Sequence, residues 1–278
     1  KTAGRWLLPE VNDFPADSAR VQALVERIAG LARTWPEATT SEAASRFKVA
    51  ADRFERRLTL RTGGADLGRV YLGSSAGLRR VYLRGEGETD ILSIELDPRD
   101  LETGGDNWID TAVLQLKAEE VARLELPDLT LVRQSDSLVV EGLTEGEELV
   151  PASRDALVQR VTGLSVAAVL GGDDPAGSAL AKPSLRFSVQ RATGERLDYV
   201  FGQAPQPPAK GQEEAAAPPA ETTYVLRVSG HERLFRVDGW QVDEIRHLNR
   251  AALVRAKAKP APVAPANTAP VPPAGNGS

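Results

Sequence analysis

Cysteine and methionine are both absent from the 278 residues, and only two histidines occur. Without cysteine there is no disulfide, no thiolate nucleophile and no Cys-ligated zinc or iron–sulfur centre. His231 sits in the turn-like stretch SGHERL and His247 in a polar run, neither with a second histidine in its own element. A metal or general-base role needs convergent partners, so no catalytic or metal-binding residue is assigned. No Gly-x-Ser-x-Gly elbow and no Gly-Lys-Ser/Thr loop occurs, which removes the usual signatures of a serine hydrolase and a nucleotide-phosphate cradle. No cofactor is expected, and the chain reads as a non-enzyme. Nothing approaches the roughly 20 apolar residues that span a bilayer as a helix. Lys and Arg number 34 against 39 Asp and Glu, with no basic block to follow a phosphate backbone, so nucleic acid is a poor partner. The start KTAGRW leads us to expect that a signal or membrane anchor, if the protein has one, lies ahead of it.

What is present is the composition of a globular protein, 41% hydrophobic and 26% charged, with length enough for two cores. Two stretches nearly match: ALVERIAGL at 23–31 and ALVQRVTGL at 156–164, an offset of 133. Pro15-Ala16-Asp17-Ser18 supplies an N-cap for the first. Val21, Leu24, Val25, Ile28, Leu31 and Ala32 then recur at helical spacing as a core-facing stripe, up to Pro36. Pro151-Ala152-Ser153 leads into the second helix, whose stripe is Leu157, Val158, Val161 and Leu164. The flanks match in the same order. GRWLLPE (4–10) aligns with SLVVEGL (137–143). LTLRTGGADLGRVYLG (58–73) aligns with FSVQRATGERLDYVFG (187–202), closing on Gly at offset 129. YLRGEGETDILSI (82–94) aligns with VLRVSGHERLFRV (225–237).

The expectation is an α+β protein of two tandem repeats, each a mainly antiparallel sheet packed by one main helix and finished by a short helix, at 107–116 and 242–256. The first repeat is placed at 1–116 and the second at 117–256, with a disordered Pro/Ala/Glu insertion at 203–221 and a disordered Pro/Ala tail at 257–278. The stretch 117–142 reads as a meander opening the second repeat. Its equivalent is absent before Trp6, so the first repeat is expected to lack a sheet edge or to complete it from elsewhere. Leu58 and Leu60, then Leu92, Ile94 and Leu96, are expected inward, with Ser93 and Glu95 on a wet face.

The acidic clusters DPRD (97–100), GGDNWID (104–110) and GGDDPAG (171–177) read as turns and caps, since none has calcium-loop spacing. GSSAG at 73–77 reads as a flexible hairpin, and the four tryptophans as core or boundary anchors. The candidate partner-binding residues are Arg57, Arg61, Arg79, Arg80 and Arg84, which alternation gathers on sheet strands where an acidic protein or anionic glycan would meet them. Balanced by nearby carboxylates, the same residues make a charged face that resists edge-to-edge pairing.

The segments GRWLLPEVNDFPADSARVQALVERIAGL, ATTSEAASRFKVAADRFERRLTLRTGG and RVYLGSSAGLRRVYLRG, with NWIDTAVLQLKAEEVARLEL as the join, resemble bacterial domain-of-unknown-function family 4340. The resemblance covers residues 4 to about 143 closely and the second repeat more loosely. It implies an extracytoplasmic, periplasmic body held to the inner membrane by an N-terminal helix. It also implies an accessory, scaffold-like role in an ABC transporter complex of the gliding-motility type, with the permease or its auxiliary component as partner. Its motifs are structural punctuation and transfer no catalytic residue. The other reading is a binding module that takes an envelope polymer or the transported substrate in a groove between the repeats.

Overall fold

The computed structural model describes residues 4–31, 34–171, 173–204 and 222–257. Most of the insertion and nearly all of the tail expected from composition lie outside these residues. The chain opens with two short paired strands, β1 (Leu7–Leu8) and β2 (Phe14–Pro15). Helix α1 (Ser18–Ala29) follows, its first turn capped by Asp17, which accepts from the Arg20 N–H at 3.0 Å. Gly30, rather than Pro36, takes the C-cap position. The apolar stripe forms as its spacing predicts, but no residue of α1 is fully buried. Val21, Leu24, Val25, Ile28 and Leu31 are only half-covered.

Helix α2 (Ser41–Arg46), capped by Thr40, leads into a two-residue hairpin, β3 (Val49–Ala50) and β4 (Arg53–Phe54). Then comes an antiparallel meander in simple order: β5 (Arg56–Thr62), β6 (Ala65–Gly77), β7 (Arg80–Gly85) and β8 (Ile91–Glu95). One face carries Leu72, Val81, Leu83 and Ile94, packed with Leu24 and Leu31 of α1. The other face is covered as well, because Tyr71 and Ile91 pack with Ala43, Ala44 and Val49. Ser93, expected in water, is therefore buried, and Arg80 donates to its hydroxyl and its carbonyl. A wet face inferred from alternation misses a cover supplied by a short helix and hairpin with no periodic signal of their own.

The run 107–116, expected to be helical, contains the end of a 3-10 turn at Gly105–Trp108 and further turns. Its Gly104-Gly105-Asp106 lead and the caps from Asp110 favour turns over a continuous helix. Beyond it lie β9 (Val121–Leu126), β10 (Leu129–Gln134), β11 (Ser137–Val140) and β12 (Glu147–Leu149), then α3 (Pro151–Thr162) and β13 (Ala168–Leu170). A 3-10 helix at Pro175–Ala181 precedes a second meander of β14 (Leu185–Arg191), β15 (Arg196–Gln203), β16 (Thr223–Val228) and β17 (Leu234–Asp238). The chain then forms α4 (Gly239–His247), α5 (Arg250–Leu253) and β18 (Val254–Ala256), which pairs with β12. The stretch 242–256 is thus two helices and a strand rather than one helix, broken where Asn249 caps the second.

These strands build an eight-stranded antiparallel sheet in the order β11-β10-β9-β14-β15-β16-β17-β13. Leu157 and Val161 of α3, with Val242 and Ile245 of α4, bury against Phe187, Tyr199, Phe201, Leu226 and Phe235. The opposite face takes Leu180 of the 3-10 helix against Val225 and Leu234. Phe14, Ile109 and Leu114, from ahead of residue 117, are buried in this same core. Arg233 lies over Phe14 at 5.5 Å and donates to the Val11 carbonyl at 2.8 Å and to that of Asn12.

The fold is α+β with antiparallel sheets, and the two halves run in one order: long helix, short helix, four-stranded meander. The two glycines matched at offset 129 have the same physical role. A Cβ on Gly73 would stand 2.0 Å from the Phe47 carbonyl oxygen, and one on Gly202 would stand 2.3 Å from that of Ala179. Each strand lies against the end of the short helix, where only hydrogen fits. Gly73 therefore belongs to a long strand that continues to Gly77, and the hairpin expected at 73–77 turns later, at Leu78–Arg79.

Candidate interaction surface

Register places Arg57, Tyr71 and Arg84 in one row across β5, β6 and β7. Alternation along the same strands adds Arg61 and Arg80 to that face. Sharing a face does not make them available. Arg61 pairs with Asp66 at 2.6 Å. Arg80 is spent on Ser93. Arg84 donates to the carbonyls of Val49 and Glu88, each at 2.8 Å, and lies 5.2 Å over the Tyr71 ring. Arg79 sits at the hairpin tip with φ 53°, its Nε 3.8 Å from Asp97. Arg61, Arg80 and Arg84 are thus engaged within the sheet, while Arg79 stays largely exposed at its turn.

Arg57 differs: among the described residues its side chain makes no hydrogen bond or ion pair, and its guanidinium rests 5.7 Å over Phe54. Its neighbour Arg56, in the same arginine run but outside the five candidates, likewise makes no side-chain hydrogen bond or ion pair among the described residues. Both border an apolar groove of about 300 Å³ formed by Leu8, Val21, Leu24, Leu58, Leu72 and Trp108. Trp108 is held there by donating to the Glu102 carbonyl at 2.7 Å, with Arg20 stacked 4.6 Å over its ring. Asp17, the cap of α1, donates its N–H to the Trp108 carbonyl at 2.8 Å. The groove therefore lies where α1 meets β5, and the half-exposed stripe of α1 forms one wall.

β5 is the edge of its sheet: among the described residues no strand pairs with its outer side. The corresponding strand of the second half, β14, is closed on that side by β9. There Leu124 faces Val189 and is 1% exposed, while Glu125 faces Ser188. Glu125 accepts from the Ser188 hydroxyl at 3.0 Å and pairs with Arg196 at 2.9 Å. The hydrogen bond from Arg123 is the main cause holding its carboxyl below the usual range, against the opposing effect of burial. Among the described residues, β5 is thus the strand of the first half whose outer side is unpaired where its counterpart is closed. Leu8 and Trp108, invisible to strand alternation, come to it from two separate segments.

The other candidates stay apart. His231 packs edge-on to Phe235, and His247 Nδ1 lies 2.7 Å from the Asp243 carbonyl. Asp174 caps the 3-10 helix at Pro175–Ala181, and Asp100 pairs with Arg27. Of the tryptophans expected as anchors, Trp35 is 92% exposed and Trp240 more than half exposed. Among the described residues no cluster of three or more acidic or histidine side chains is placed to hold a metal ion. No helix among them is long and apolar enough to cross a membrane.

The model of a family described as a domain of unknown function, DUF4340, matches residues 6–183. The chain belongs to that family. The match reaches past α3 and the 3-10 helix after it, so it takes in the first half and the opening of the second. No curated protein and no solved structure matches the chain.

Proposed function

We propose that this family member is a non-enzymatic scaffold, an accessory subunit of an ABC-transporter-type complex on the extracytoplasmic side of the envelope, acting through protein contacts. The observation that carries the reading is the open edge of β5 beside the apolar groove, in a fold whose other half closes the same edge. Exposed strand edges are templates for another chain, and an apolar groove next to one is the arrangement that protein partners use in strand addition. The family resemblance supplies the kind of complex. The aliphatic lining of the groove favours a protein over an envelope polymer, whose hydroxyls ask for polar partners.

The test is a photo-crosslinking residue at Thr59 in the full-length protein in its native envelope. Cross-links to transporter subunits are expected, and recovery of the protein alone would overturn the reading. The same proposal takes the two halves as copies of one unit, supported by their matched order and by the matched Gly73 and Gly202.

A further inference from the structure

Resting on that contact reading, we infer that the β5 edge accepts an antiparallel strand of a partner protein carrying the pattern aliphatic–Glu–aliphatic. The second half shows what such an edge holds. On β14 the seated strand reads Leu124-Glu125-Leu126, with Leu124 opposite Val189 and Glu125 opposite Ser188. At the sequence offset of 129, Val189, Ser188 and Arg186 stand where β5 has Leu60, Thr59 and Arg57.

The incoming glutamate therefore lies opposite Thr59, on the face that carries Arg57. Its two aliphatic neighbours lie on the other face, with Leu58 and Leu60. Leu58 and Leu72 already line the groove, with the half-exposed Val21 and Leu24 of α1 across from them. On that face Arg57 makes no ion pair or side-chain hydrogen bond among the described residues and rests over Phe54, whereas Arg61 and Arg69 are held by Asp66 and Glu86. Apolar surface, open backbone and an uncommitted charge thus specify one kind of ligand: an extended acidic–aliphatic segment.

The probe is a synthetic peptide of residues 120–129, EVARLELPDL, added to the full chain and read by amide hydrogen exchange and by titration. Protection of residues 56–61 is expected. Arg57→Glu should weaken binding about tenfold, and a peptide carrying Glu125→Lys should recover it on that variant, since opposite charges at a half-exposed pair exchange attraction for repulsion. A peptide N-methylated at Leu124 and Glu125, whose N–H groups point to opposite edges, should not bind.

Protection confined to β14, or binding indifferent to N-methylation or to Arg57→Glu, would overturn the inference. So would a β5 already protected without peptide, which assigns the edge to the chain itself, or protection that rises with protein concentration, which assigns it to a second copy. Cross-links from Thr59 to transporter subunits with no peptide binding would sink the strand chemistry and leave the proposed function standing. Peptide binding without those cross-links would do the reverse.

Discussion

Leu24 and Leu157 occupy the same place in two nearly identical helices, yet Leu157 is fully buried and Leu24 is half in water. The first helix has the more regular apolar stripe, so amphipathicity does not decide the outcome. Burial needs a surface to receive the stripe. α3 meets α4, α5 and the aromatic face of an eight-stranded sheet, whereas α1 has only part of a four-stranded one. The same contrast holds for the sheets: Leu185, Phe187 and Val189 of β14 are buried, while Leu58 and Leu60 of β5 are half-exposed. The neighbours of α3 account for the first difference, and β9, which pairs with β14 where no strand among the described residues pairs with the outer side of β5, for the second.

The two halves should agree most where they are matched most closely. Gly73→Ala and Gly202→Ala force a Cβ into backbone, and each should cost roughly 3 kcal/mol or more in chemical denaturation. A mild effect at one site only would break the correspondence. Next in size is the helix pair. Leu157→Ala should destabilise by about 3 kcal/mol and Leu24→Ala by less than about 1 kcal/mol, because only the first leaves a closed cavity. Equal losses would mean that α1 is buried in solution.

Tyr199 gives a smaller, pH-dependent contrast. Buried and stacked 4.6 Å from Phe187, it has its phenol pushed up to about 12 from 10.0, with burial as the main cause. The folded state keeps the proton that the unfolded chain releases, so stability is full below pH 10 and falls between about pH 10 and 12. The loss is on the order of 2 kcal/mol. Tyr199→Phe should flatten that window, and the first half, with Val70 at the matched position, contributes no such loss there.

The smallest effect belongs to Glu125. Its carboxyl is held below 4.5, chiefly by the Arg123 hydrogen bond, so its contribution is present above that value and fades as pH falls through the lowered one. Being partly exposed, it should cost under about 1 kcal/mol as Glu125→Gln, and less still in 1 M salt. A salt-insensitive loss would show that the seat of β9 depends on more than charge.

Much of the architecture was legible in the residues. The Asp17 cap, the helix spacing and the alternating runs each reflect local chemistry, and they located α1, α3 and both meanders. The cover over the second face of the first sheet was not legible, since α2 and β3–β4 carry no periodic signal. The candidate site was half legible. The Arg56-Arg57-Leu58 stretch lies in plain view, but four of the five arginines singled out turned out to hold carbonyls, hydroxyls or nearby carboxylates. Leu8 and Trp108 reach the groove only through folding.

By itself, then, the sequence determined the two long helices, the two meanders, their order and the α+β class, because helix spacing, strand alternation and caps depend on neighbours within a few positions. It also matched Gly73 to Gly202, whose need for a bare hydrogen only the folded structure shows. Tertiary structure alone decided which apolar faces are closed, which arginines are spent and which strand edge is unpaired among the described residues, because those depend on surfaces brought together from distant parts of the chain.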